Sequence, residues 1–123
     1  LLMRAEALIE TNSLTQEVYD LINTVRGRVG MPKVEDVEGA GLSHDQLRQI
    51  VRHERRVELA FEGLRFMDLK RWGVMDKAYQ RMTDDKITGY KPIYQERKSE
   101  TFPIPLSELD ANKNLTQHTA WSD

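Results

Sequence analysis

The stretch from His53 to Trp72, HERRVELAFEGLRFMDLKRW, constrains the fold most. As a helix it is too apolar for a surface element and too charged for an ordinary core one. At 100° per residue, with Val57 as origin, Glu54, Arg65, Glu58, Glu62 and Arg55 fall within one stripe about 100° wide. Val57, Ala60, Phe61, Leu64 and Met67 occupy much of the remaining surface, with Leu59, Phe66 and Leu69 further round. A helix apolar over that much of its circumference is expected to be enclosed by neighbours. Its charges must then pair or face a polar crevice, because an unpaired buried ion costs several kcal/mol.

Two chemistries fit such a stripe. The favoured one is a structural ion-pair network of Glu54, Arg55, Glu58, Glu62, Arg65, Asp68 and Arg71. On that reading, removing Glu58 or Arg65 costs several kcal/mol through the orphaned partner. The enzyme-class alternative is glycoside hydrolysis by Glu58 and Glu62. Carboxylates at i and i+4 stand about 6 Å apart at Cβ, near the separation that retaining glycosidases use. Arg55 and Arg65 beside them argue for neutralisation instead. No Glu-x-x-His occurs, and Val57 stands where H-E-x-x-H needs its second histidine, so no metal site is expected.

A chain of 123 residues has room for one domain. With 18 basic and 20 acidic residues, the net charge of −2 gives no nucleic-acid footprint. The absence of cysteine excludes thiolate sites and disulfides. No apolar run approaches the ~18 residues a spanning helix needs.

The order along the chain is helical, then irregular. Leu1 to Thr11 reads as helix from its first residue, without a capping side chain. That start suggests a piece of something longer, with any signal or lipidation segment upstream. Ser13-Leu14-Thr15-Gln16 matches a capping box and is expected to open a second helix, with Val18, Leu21, Ile22 and Val25 as its stripe. Gly30 and Pro32 are its stop signal. Such a pair forms a tetratricopeptide-like hairpin that needs a neighbour on its open face.

Residues 33–41 read as loop. Ser43 to Gln46 is a second capping box, with Leu42 and Leu47 as a hydrophobic staple. The helix it opens is expected to run through Ile50, Val51, Val57 and Phe61 to Gly63. Gly73 ends the segment containing Trp72, and Met75 to Met82 adds a short helix. Residues 1–82 are thus helical and 83–123 mostly irregular. Pro103 and Pro105 exclude a helix interior and a central strand there, and Ser107 to Asp110 offers a single capped turn.

Candidate ligand contacts are weaker. Trp121, Tyr90 and Tyr94 could stack on a sugar ring or pack under the tail. Tyr79 is a similar case, Trp72 reads as core, and His44 and His118 read as solvated. Asn114-Leu115-Thr116 matches the glycosylation triplet, which decides nothing by itself.

Several of these segments resemble one known family in order. Asn23-Thr24-Val25-Arg26-Gly27-Arg28, His53 to Gly63, Arg65 to Trp72, and a tail of Pro103-Ile104-Pro105, Ser107-Glu108-Leu109, Asn112, Asn114-Leu115, Gln117 and Trp121 are similar to the C-terminal part of the SusD/RagB family. Departures include Phe66-Met67 where Trp-Phe is frequent, Gly27 and Val29 in the R-x-R-A run, and Leu106, Lys113, His118 and Ala120 in the tail.

The resemblance implies a mainly α fold with tetratricopeptide-like hairpins and an irregular, proline-containing end, completed by upstream parts of the same polypeptide. It implies a non-catalytic, lipid-anchored protein at the outer-membrane surface. Such a protein would bind a glycan or other nutrient and deliver it to a TonB-dependent outer-membrane transporter, with this segment mainly scaffold and no cofactor. An alternative of a different class is a helical-repeat protein-interaction module that binds no glycan.

Overall fold

A computed structural model describes residues 1–85 and 93–122. Among them are seven α-helices, one 3-10 turn and no strand. The fold is mainly α, as the sequence implies. The chain divides into two compact units, Leu1–Arg65 and Phe66–Asp123.

The first unit is built on α1 (Leu2–Glu10), which packs against both α2 (Gln16–Arg28) and α4 (His44–Glu58). Leu2, Ala5 and Ile9 of α1 meet Val18, Tyr19 and Ile22 of α2 and Leu47 and Val51 of α4 in one buried cluster. Spacings of three and four residues put each set on a single helix face. Burying such faces supplies most of the stability of helices this short, which are marginal alone in water. The open face of the α1–α2 hairpin is thus covered by α4.

Helix ends follow local chemistry, with one correction. Ser43 caps α4 with the expected capping box: its Oγ accepts the Gln46 N–H, and Gln46 Oε1 accepts the Ser43 N–H at 2.9 Å. The box expected at Ser13 does not form. α2 starts at Gln16 with Thr15 at the cap and no side-chain bond. The segment before it is consumed in stopping α1. The Ser13 N–H reaches the Leu8 carbonyl at 2.8 Å and the Asn12 N–H the Ile9 carbonyl at 2.9 Å, with Asn12 left-handed (φ 57°). Gly30 ends α2 by the same pair of bonds, from Met31 to Arg26 and from Gly30 to Gly27. Its φ of 72° is one that glycine adopts without a Cβ clash.

Residues 33–41, read as loop, contain a one-turn helix, α3 (Val34–Glu38). It is too short for periodicity to reveal. Asn23 holds it, accepting the Val34 N–H at 2.9 Å and donating to Glu35 at 2.7 Å. Val34 is thereby buried in the core.

The long helix to Gly63 is also corrected. α4 stops at Glu58, a connector follows over residues 59–64, and α5 restarts at Arg65–Arg71. Phe61 lies in the left-handed region with φ 65°, which no helix tolerates. Val57, Ala60, Phe61, Leu64, Phe66 and Met67, expected to be enclosed, are not covered by the described residues, while Leu59 and Leu69 are half-buried.

In the second unit, Gly73 stops α5 as expected and α6 (Met75–Asp84) follows, with Met75 buried. α7 (Leu106–Ala111) forms the expected turn at Ser107, but Pro105 stands at its cap and no side chain caps it. Gln117 ties the tail to the Pro103–Pro105 segment. Pro103 and Pro105 have no N–H, so Ile104 carries the single amide N–H among these three residues. Gln117 accepts that N–H and donates to the Ile104 carbonyl, both at 2.9 Å. His118 then caps the 3-10 turn Thr119–Trp121 by accepting the Ala120 N–H at 3.1 Å.

Candidate functional site

The buried face of α4 changes character along its length. Leu47, Ile50 and Val51 lie in its first half, and Glu54 and Arg55 continue the same stripe in the second. Glu54 Oε1 accepts from Arg26 Nε at 2.9 Å and Nη2 at 2.7 Å, both side chains being buried. Arg28 Nη2 spans the two oxygens of Glu58 at 2.9 and 2.8 Å in a more exposed pair. On the other side of α4, Arg48 forks onto Glu10, Arg52 reaches Glu10 at 3.7 Å, and Arg55 lies 4.0 Å from buried Glu6. Arg48 and Arg55 meet Glu10 and Glu6 in reverse order, as antiparallel helices require.

The Arg48 hydrogen bond lowers the Glu10 carboxyl below its ordinary range, and the same bond raises the guanidinium. Glu35 is lowered chiefly by its hydrogen bond from Asn23.

This geometry does not form the two-carboxylate arrangement weighed from the sequence. Glu58 is engaged by Arg28 at the last turn of α4. Glu62 is exposed on the connector, not one helical turn further along. The stripe of five charges is likewise divided, with Arg65 half-buried at the start of α5. Buried Asp68 accepts from Arg71 Nε at 3.0 Å, and the Arg71 guanidinium lies 4.9 Å from the Trp72 ring. Among the described residues, no group of three or more His, Asp or Glu side chains is set to hold a metal ion.

Sequence reasoning missed the partners Arg26, Arg28, Glu6, Glu10 and Arg48. A signal did exist. Glu6 and Glu10 stand at i, i+4 on one short helix, and Arg48, Arg52 and Arg55 repeat with matching helical spacing.

A concave surface lies on α6. A groove of about 660 Å³ is lined by Asp76, Lys77, Tyr79, Gln80, Arg81 and Tyr94, among others. Tyr79 and Tyr94 meet edge to face at 5.8 Å, and the Tyr94 hydroxyl donates to Glu100 at 2.7 Å. That bond pushes the Tyr94 hydroxyl up to about 12. Trp121 is not in this lining. Its indole N–H donates to the Thr101 carbonyl at 3.0 Å, and the Lys98 ammonium stands 5.5 Å from its ring. Tyr90 lies outside the described residues.

The first unit is thus a helical bundle closed by guanidinium–carboxylate pairs, and the second carries an aromatic-edged groove. The chain belongs to the SusD family, whose model matches residues 1–121. It is similar to SusD-like protein P2 of Formosa agariphila, 31% identical over 94% of this chain and 23% of that protein. It is also similar to SusD-like protein P25 of the same organism, 34% identical over 97% of this chain and 22% of that one. The chain therefore spans about a quarter of the length of these relatives. No solved structure matches it significantly. No helix among the described residues is long and apolar enough to cross a membrane.

Proposed function

We propose that the polypeptide carrying this chain captures a glycan or another nutrient at the outer-membrane surface and passes it uncleaved to a TonB-dependent transporter. Residues 1–123 serve mainly as scaffold in that task. Membership of the SusD family over residues 1–121 carries this reading. The geometry supports the non-catalytic part, because Glu54 and Glu58 are committed to Arg26 and Arg28. Where this segment does touch ligand, the α6 groove is the surface for it. Tyrosine edges beside Asp76, Gln80 and Arg81 combine an apolar face with planar hydrogen-bonding groups, as sugar rings require.

Calorimetric titration of soluble starch, laminarin and xylan into the natural polypeptide tests the reading. Saturable heat without release of reducing sugar supports it, as does co-purification with an outer-membrane transporter. Sugar release abolished by Glu58→Gln, with the fold intact, would establish hydrolysis instead. Transporter binding without affinity for any nutrient would favour the interaction module.

A further inference from the structure

The α6 groove, whose described lining lies wholly within the second unit, is uneven in charge. At 100° per residue, its α6 side chains follow one another round the helix as Tyr79, Thr83, Asp76, Gln80, Lys77 and Arg81. Tyr79 thus stands on one flank, where Tyr94 meets it edge to face. Lys77 and Arg81 stand on the other, at i and i+4, with their Cβ atoms about 6 Å apart. Both cations are exposed, and neither forms an ion pair among the described residues. By contrast, Arg26, Arg28 and Arg48 each close on a carboxylate. Like charges one helical turn apart repel, and an anion bound between them removes that cost. Asp76 is the one carboxylate among the described lining residues, and it lies roughly 100–140° round the helix from the two cations. The Tyr94 hydroxyl donates to Glu100, so Tyr94 offers a ligand its ring and not its proton.

We infer that this groove takes the acidic units of a glycan, sugar rings that carry a carboxylate or a sulfate. The ring stacks on the tyrosine flank, its hydroxyls meet Asp76 and Gln80, and its anionic group reaches Lys77 and Arg81. Arg81 supplies a planar fork that matches the anionic oxygens, and Lys77 a point charge beside it. A neutral sugar gains the stacking alone and leaves both cations without a counterion. This inference rests on the nutrient-capture reading and adds to it the charge of the nutrient.

Calorimetric titration of polygalacturonate against its methyl ester, and of dextran sulfate against dextran, into the natural polypeptide tests it. The first pair isolates the carboxylate and the second the sulfate. The acidic member of at least one pair is expected to bind ~10-fold or more tightly than its neutral partner, and less tightly as salt rises. Lys77→Gln combined with Arg81→Gln should remove that preference and leave any affinity for the neutral polymer unchanged. Lys33→Gln combined with Arg56→Gln, an equal loss of charge at exposed positions of the first unit, should leave the preference intact. Each single variant of Lys77 or Arg81 should lose about 3-fold, so the comparison survives a double variant that fails to fold. A preference that persists without Lys77 and Arg81, or falls equally in both double variants, would overturn the inference. So would neutral polymers that bind as tightly as acidic ones, and in each of these cases nutrient capture still stands. No saturable heat with these polymers or with starch, laminarin and xylan would overturn both.

Discussion

Arg26 aims two N–H groups, from Nε and Nη2, at the single oxygen Oε1 of Glu54, at 2.9 and 2.7 Å, with each side chain only 8% exposed. The bond ties the last turn of α2 to the last turns of α4, beyond the apolar cluster that joins both helices to α1. Burying the pair costs desolvation, which the forked geometry offsets. Breaking it leaves one ion buried alone.

Glu54→Ala or Arg26→Ala is therefore expected to destabilise the fold by about 3–5 kcal/mol, read from urea denaturation followed by circular dichroism. Arg26→Met with Glu54→Leu together should recover most of that loss, since neither leaves an orphaned charge. Glu58→Ala should cost less than about 1 kcal/mol, because the Arg28–Glu58 pair is half in water. Equal effects at Glu54 and Glu58 would contradict this account.

Gln117→Ala removes both partners of the Ile104 peptide group. The Ile104 amide is a clean probe, because the prolines on either side have none. Its exchange should accelerate on the order of 10-fold or more, for a local cost of about 1–3 kcal/mol. Unchanged exchange would mean that another group holds the tail.

Acid should loosen the first unit. Glu10 and Glu35 both have lowered carboxyl pKa values in the folded chain, through Arg48 and Asn23 respectively. Their contribution is complete above the ordinary carboxylate value of 4.5 and is lost as pH falls through the depressed folded values. Thermal melts between pH 6 and about 3 should show this limb. Glu35→Gln should flatten part of it and lower the neutral-pH melt, since both Glu35 oxygens accept, from Asn23 and from Gln16, and a glutamine offers one acceptor oxygen.

Alkali should act on the second unit. Tyr94 is raised from 10.0 to about 12, first of all by its bond to Glu100. Its contribution is intact below pH 10 and disappears as pH rises through about 12. Absorbance titration of tyrosinate at 295 nm should show a late component from Tyr94. In Glu100→Gln that residue should move back toward 10. No difference between the wild-type and Glu100→Gln titrations would refute the bond.

Much of the first unit was legible in the sequence, because its signals are local. The apolar stripe of α2, the capping box at Ser43 and the stop at Gly30 each follow from residues within a turn or two of one another, as does the stop at Gly73 in the second unit. So does the need for a neighbour on the α1–α2 hairpin. The stop of α4 was not legible. Helix periodicity continues from His53 past Phe61, and nothing local outweighs it. The Ser13 box failed for a related reason: Ser13 and Asn12 are used to end α1, a demand that a pattern of four residues does not contain.

The sequence by itself determined the family, the mainly helical class and the stripe of charge that had to be neutralised. Side-chain chemistry and spacing suffice for those. Tertiary structure alone decided which charges meet. Glu54 finds Arg26, 28 residues away, and Glu10 finds Arg48, 38 residues away. These pairings come from the packing of α2 and α4 against α1, which sets residues of separate helices opposite one another.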